Sequence, residues 1–148
     1  AVCGARVPVA QPLSWRCPQA NNDDRHHVLH FSSTPSANNF QPVESENPFV
    51  RFQELLAWDA FASQHGATLN ERREFIEHLD AKVESVAKVG FRRTPFARNA
   101  ELSNALGFEG SGGLWVKDET HNVAGSQKAR HLFTELLHLV FAEENLAI

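Results

Sequence analysis

The residues from Gly113 to Leu132, GLWVKDETHNVAGSQKARHL, hold the densest set of groups able to do chemistry in this chain. Leu114-Trp115-Val116-Lys117 has the β-branched and aromatic content of a strand. Asp118 to Gly125 is a polar loop, and a helical period begins at Ser126. The free N–H groups at a helix start carry about half a positive charge and favour acidic side chains. This start instead presents Lys128, Arg130 and His131 and no acid. Three basic groups there suit an anion, and in open α/β sheets ligands sit beyond strand ends and at helix N-termini. Lys128 offers a second chemistry, because an amine buried beside a positive helix end favours its neutral form and can make a Schiff base. The spacing is equally compatible with Lys128 and Arg130 as solvated side chains on an ordinary helix.

The elements that must position this segment follow from periodicity. Residues 1–47 scatter Pro8, Pro12, Pro18, Pro35 and Pro42 among Asn, Ser and Gln, a loop-rich texture that excludes long helices. Val28-Leu29-His30-Phe31 is the piece of it that reads as an edge strand. Residues 48–148 read as the start of an α/β domain. Phe49, Phe52, Leu55, Leu56 and Phe61 form one apolar stripe ending at Gly66. A second helix is expected from a cap at Asn70, burying Phe75, Ile76, Leu79, Val83 and Val86 while Glu71, Arg72, Arg73 and Glu84 stay wet, and closing at Lys88 and Gly90. Phe91 to Phe96 should be extended, because the residue before Pro95 is pushed out of the helical region. A short helix over 97–106 ends at Gly107. A long helix from Ser126 carries Leu132, Phe133, Leu136, Leu137, Val140 and Phe141 inward, and Leu146-Ala147-Ile148 reads as the start of another strand. Strand, loop, helix and strand make an α/β pattern, here mainly helical with a few strands.

Two landmarks in this order resemble the fold type II enzymes that use pyridoxal phosphate, the group of threonine synthase, threonine/serine ammonia-lyase and the tryptophan synthase β chain. The first is Thr94-Pro95-Phe96, followed by Leu102-Ser103 and Leu106-Gly107. The second is Lys117-Asp118-Glu119, Asn122, then Gly125-Ser126-Gln127-Lys128-Ala129-Arg130. The resemblance is clearest over residues 90–145. It implies that Lys128 is similar to the lysine that holds pyridoxal 5'-phosphate as a Schiff base, and that this chain is the N-terminal part of such a fold. It also implies cofactor-site roles for Ser126, Gln127 and Asn122, with Ser126 as helix cap and Gly125 turning the backbone into it. Thr94 is similar to a family position near the substrate. Gln127 departs from the Phe or His usual before the lysine.

For the neighbouring residues simpler roles are expected. Asp118 and Glu119 should be structural, capping the loop or pairing with Arg130. Trp115 should be a core residue of its strand and His121 an exposed loop residue. Cys3-Gly4 and Cys17-Pro18 resemble a cysteine knuckle that some threonine synthase-like proteins carry, Cys-x-x-Cys-Gly … Cys-Pro-x-Cys. Its first position would precede Ala1 and its fourth is Ala20. His26, His27 or His30 could complete a zinc site, but two free cysteines in a reducing compartment are expected and no metal is assigned.

Composition bounds the function classes. With 14 Lys+Arg against 18 Asp+Glu the 148 residues carry a formal charge of −4, unlike a nucleic-acid or anionic-membrane binder with its basic face. An apolar fraction of 42 % with 22 % charged residues is that of a chain able to form a core. No apolar run approaches the roughly 20 residues of a membrane span, and no signal segment opens the chain, so a cytoplasmic location is expected. There is no Met, even at position 1, which together with the strand-like end suggests a fragment. The expected activity is that of a pyridoxal-phosphate-dependent lyase, threonine synthase-like and acting on O-phosphohomoserine. It belongs to the full-length protein, which is compatible with a homodimer, and the substrate is a small amino acid. The alternatives are a threonine/serine ammonia-lyase and an inactive homologue serving as a binding module.

Overall fold

The computed structural model describes residues 3–23, 27–32 and 40–148. In chain order the elements are α1 (Pro48–Arg51), a 3-10 turn (Gln53–Leu55), α2 (Ala57–Gln64), α3 (Leu69–Ala87), β1 (Phe96–Arg98), α4 (Ala100–Ala105), β2 (Trp115–Lys117), a second 3-10 turn (Val123–Gly125) and α5 (Lys128–Leu146). The described chain is therefore mainly helical with one small antiparallel sheet, in which Phe96 pairs Lys117, Ala97 pairs Val116 and Arg98 pairs Trp115.

The stripe expected after Pro48 is broken into two helices. Asn47 starts the first, its Oδ1 accepting from Phe49 N–H at 2.9 Å, with Pro48 at the first helical position where its missing N–H is not needed. Phe49, Trp58, Phe61 and Ala62 are all buried. In one continuous helix Phe49 and Trp58, nine positions apart, would point about 180° away from each other. The extended Leu56, at φ −82° and ψ 136°, turns the chain so that both face inward. Phe52 and Leu55 are left exposed by the same break.

Helix α3 begins two residues earlier than expected. Thr68, not Asn70, is the cap, and Thr68-x-x-Glu71 forms a reciprocal capping box: Thr68 Oγ1 accepts from Glu71 N–H and Glu71 Oε2 accepts from Thr68 N–H at 2.7 Å. Ile76 and Leu79 are buried and Phe75 and Val83 are packed against the core. Val86 is 82 % exposed, because it falls in the last turn beyond the final buried residue of α3, Asp80. Arg72 is not wet either: its side chain is 10 % exposed and its Nε donates to Asp59 Oδ1 at 2.7 Å. Gln53 Nε2 donates to the same oxygen at 2.7 Å, so a buried carboxylate ties the 3-10 turn, α2 and α3 together.

A second buried carboxylate fixes the entry to the sheet. Asp80 Oδ2 accepts from Asn47 Nδ2 at 2.9 Å and from Arg92 Nη1 at 2.7 Å, while Oδ1 accepts from Phe91 N–H at 2.7 Å. Phe91 is thereby held with its ring 5.1 Å from Phe49 and 4.6 Å from Phe133 of α5. Phe61, Phe75 and Trp58 surround Phe141 on the same helix, with ring centroids 5.8–6.2 Å apart. Along α5 the buried residues are Phe133, Leu137, Phe141 and Ala142. Leu132 and Leu136, expected inside, are exposed because the aromatic cluster contacts only one side of the helix.

Residues 96–117 form a unit around Ser103. The helix expected from Ala97 starts at Ala100, since Ala97 is claimed by pairing with Val116, and Asn99 caps it by accepting from Leu102 N–H at 2.9 Å. Ser103 is fully buried, its Oγ donating to Asn99 O at 2.5 Å and accepting from Leu114 N–H at 3.0 Å. Gly113, at φ +128°, makes this approach possible, because a Cβ there would lie 2.5 Å from Ser103 Oγ. Trp115, expected in the core, is 53 % exposed and leans on the exposed Phe96 ring at 5.5 Å, as a two-stranded sheet has no second layer here to bury either.

The first 47 residues contain no helix or strand among those described, and Val28 and Phe31 are exposed instead of paired in a strand. Residues 10–15 lie on α2 and α5 through His65, whose Nε2 is 2.8 Å from Ala10 O, and through His138, whose Nε2 accepts from Leu13 N–H at 3.3 Å. The far end of α5 also departs from expectation: Leu146 is helical and Ala147 turns left-handed at φ 52°, so no strand begins there. No helix among the described residues is long and apolar enough to cross a membrane.

Candidate functional site

The loop between β2 and α5 is rigidly built. Asp118 Oδ1 accepts from the backbone N–H and hydroxyl of Thr120, at 2.9 and 2.6 Å, closing the first turn. These bonds hold the Asp118 carboxyl below the usual range. Glu119 is the hub. Its Oε2 accepts from Arg130 Nε at 2.9 Å and its Oε1 from Thr94 Oγ1 at 2.5 Å, with Lys117 Nζ 3.5 Å away. Burial pushes the Glu119 carboxyl up, but the hydrogen bonds from Arg130 and Thr94 and the charges of Arg130 and Lys117 outweigh it and hold the group lowered. Arg130 Nη2 also donates to Arg92 O at 3.0 Å, and Lys117 Nζ donates to Thr94 O and Oγ1. Thr94 of the Thr-Pro-Phe landmark and the Lys-Asp-Glu landmark are therefore in direct contact. The pairing of Glu119 with Arg130 is the structural role expected for it.

From Asn122 the chain turns sharply into α5. Ala124 and Gly125 both have positive φ, 54° and 58°, which glycine adopts without strain and alanine does not. Asn122 is 3 % exposed; its Nδ2 donates to Ser126 O at 2.9 Å, and its Oδ1 is buried with no hydrogen-bond partner among the described residues. The helix expected from Ser126 starts at Lys128, and Gln127, not Ser126, occupies the cap position and makes no side-chain cap bond; Ser126, one residue earlier and extended, accepts from Lys128 N–H through its Oγ at 3.1 Å. Gln127 and His121 are exposed.

Lys128 is the first residue of α5, a helix of 19 residues, and its side chain is exposed. The sequence reading of a buried amine is corrected here: Lys128 is exposed, so the amine keeps its water. Among the described residues, Arg130 pairs with Glu119 and His131 Nε2 lies 3.0 Å from Glu135 one turn along. A shallow cleft lined by Phe40, Val50, Gln53 and Arg73 shares no residue with this loop.

Sequence reasoning placed Asn122, Ser126 and Lys128 in one turn, and the structure brings them together. It missed the buried carboxylates Asp59 and Asp80 and the seam at Ser103, none of which has a local signature, and the Thr68-x-x-Glu71 box, which does. Comparison with protein-family models, with curated proteins and with solved structures gave no match.

Proposed function

We propose that this chain carries the lysine-bearing part of a pyridoxal-phosphate-dependent lyase of amino-acid metabolism, threonine synthase-like, with Lys128 as the residue that holds the cofactor. The observation that carries the reading is the turn at Asn122 to Lys128. An amine stands at the positive end of a long helix whose first N–H is bonded by Ser126 Oγ, six residues after a buried Asn122 with an unshared acceptor among the described residues. A helix start of this kind suits an anionic group, and a buried acceptor suits a donor from a bound ligand. An exposed amine at a helix N-terminus and the nearby Asn122 amide are the groups that support an anionic, carbonyl-bearing cofactor here.

When bound, the cofactor supplies an electron sink for negative charge at the amino acid's Cα. The chain's own residues do the rest. Lys128 Nζ would hold the cofactor and, as a free amine, would take up and return a proton. Ser126 fixes the backbone at that lysine, and Asn122 Oδ1 would accept from the ligand. Arg130, locked by Glu119, lends positive charge without leaving its partner. Thr94, tied to Glu119, keeps the Thr-Pro-Phe loop in register with the lysine turn. The substrate proposed is O-phosphohomoserine.

The direct experiment is treatment of the chain with pyridoxal phosphate followed by borohydride and peptide mapping. Lys128 should be labelled in preference to Lys82, Lys88 and Lys117, and Lys128→Ala should lose that label. Equal labelling of all four would sink the reading. With the full-length protein, phosphate released from O-phosphohomoserine supports threonine synthesis, whereas ammonia and a 2-oxo acid from threonine or serine would reassign it to the ammonia-lyases.

A further inference from the structure

The N-terminal segment has no helix or strand among its described residues, yet it brings three soft ligands to one point. Cys3 Sγ, Cys17 Sγ and a ring nitrogen of His27 all lie within 4.8 Å of one another. The two sulfurs are 3.6 Å apart and both cysteines are free, far from the roughly 2.05 Å of a disulfide. Two thiolates bound to one zinc at about 2.3 Å with a tetrahedral angle stand about 3.8 Å apart. The observed sulfur separation is therefore close to that of two thiolates on one metal, and the imidazole nitrogen lies within 4.8 Å of both sulfurs.

Several surroundings agree with this. Cys17 is 4 % exposed, set in a turn closed by Ala20 N–H on Cys17 O at 3.0 Å, so one ligand is anchored. Cys3 is exposed and accepts from Ala5 N–H at 3.4 Å, the kind of outer-shell bond that orients a sulfur ligand. The ligand class, two thiols and one imidazole, selects a borderline-soft ion over magnesium or calcium. Three protein ligands with one of them at the surface leave a fourth position open to water.

We propose that Cys3, Cys17 and His27 form a zinc-type site that ties residues 3, 17 and 27 together and staples an N-terminal segment whose described residues form no helix or strand. Binding releases the thiol protons and adds its free energy to the order of this segment alone. Lys128 and its turn contain none of these ligands, so the site is independent of the proposed activity.

The test uses the reduced full chain, first stripped by chelator and then dialysed against cobalt(II) or zinc. One equivalent of metal should be retained, with thiolate-to-cobalt charge-transfer absorption and the intense visible bands of tetrahedral cobalt. Cys3→Ser, Cys17→Ser and His27→Ala should each weaken binding by more than the about 10–100-fold typical of an outer-shell loss, with the far-ultraviolet circular dichroism of the helical part unchanged. His65→Ala, with its histidine elsewhere, should bind normally. Failure to retain metal would overturn the proposal, as would binding that survives Cys17→Ser or His27→Ala. So would loss of metal in His26→Ala or His30→Ala with His27→Ala unaffected. Formation of a Cys3–Cys17 disulfide in air, with no metal bound by the reduced chain, would reassign the pair to redox chemistry. A folding change confined to metal removal, read by amide exchange in residues 3–32, would support the staple even if a cysteine variant expresses poorly.

Discussion

Replacing Asp80 by Ala should be among the most damaging single changes in this chain. Its two oxygens serve three donors from three segments: Asn47 Nδ2 at the start of α1, Phe91 N–H and the Arg92 guanidinium. Asn47 and Phe91 are buried, so each loses a partner that water cannot replace, at about 1–3 kcal/mol apiece. Arg92 has a 44 % exposed side chain and retains Glu84 at 2.7 Å, so its loss adds less than about 1 kcal/mol. The sum is roughly 2–6 kcal/mol, against about 5–15 kcal/mol for the whole stability of a typical domain. With a urea slope of about 2 kcal/mol/M, a 4 kcal/mol loss moves the midpoint down by about 2 M. The assay is urea unfolding followed by fluorescence of the buried Trp58, with Glu84→Ala as the control that should change stability by less than about 1 kcal/mol. A midpoint for Asp80→Ala within about 0.5 M of the parent at unchanged slope would refute the claim that this carboxylate organises the three segments.

Two further outcomes follow from the geometry. Glu119 has its folded carboxyl lowered, so its pairing with Arg130 and Thr94 contributes stability fully above the ordinary value of about 4.3 and loses it as pH falls through the lower folded value. Acid titration of stability should therefore be shallower below about pH 5 in Glu119→Gln than in the parent, and an identical profile would remove Glu119 from its role as hub. Gly113→Ala must place a Cβ 2.5 Å from Ser103 Oγ at φ +128°, for about 1–3 kcal/mol of backbone strain besides the clash. A fall in melting temperature of roughly 4–8 °C is the expected reading for about 2 kcal/mol in a chain of this size, and an unchanged value would mean the Ser103 seam can relax.

Several of the local readings depend on information that lies along the chain. The long helices α3 and α5 and the Trp115-Val116-Lys117 strand form within two residues of where the residue pattern puts them, because a 3.6-residue or two-residue repeat is set by immediate neighbours. The turn from Asn122 to Lys128 is local in the same way: glycine permits the left-handed step and the serine hydroxyl beside it accepts from the first helical N–H. The Thr68-x-x-Glu71 box was equally open to reading, although Asn70 also has the chemistry of a cap.

What the sequence by itself determined is thus the type of most elements and the order of the groups around Lys128. Tertiary structure decided which face each element buries and which polar groups meet. Phe52, Val86, Leu132 and Trp115 are apolar in a pattern that suits burial, yet each is exposed because the break at Leu56, the end of α3, the outer side of α5 and the lone two-stranded sheet keep them off the core. Asp59 and Asp80 look like surface acids and are buried because their donors arrive from elsewhere in the chain. Lys128 stands in water and Cys3, Cys17 and His27 converge for the same physical reason. Periodicity records what a residue's neighbours in sequence require, whereas burial and ligand geometry depend on segments brought together only by folding.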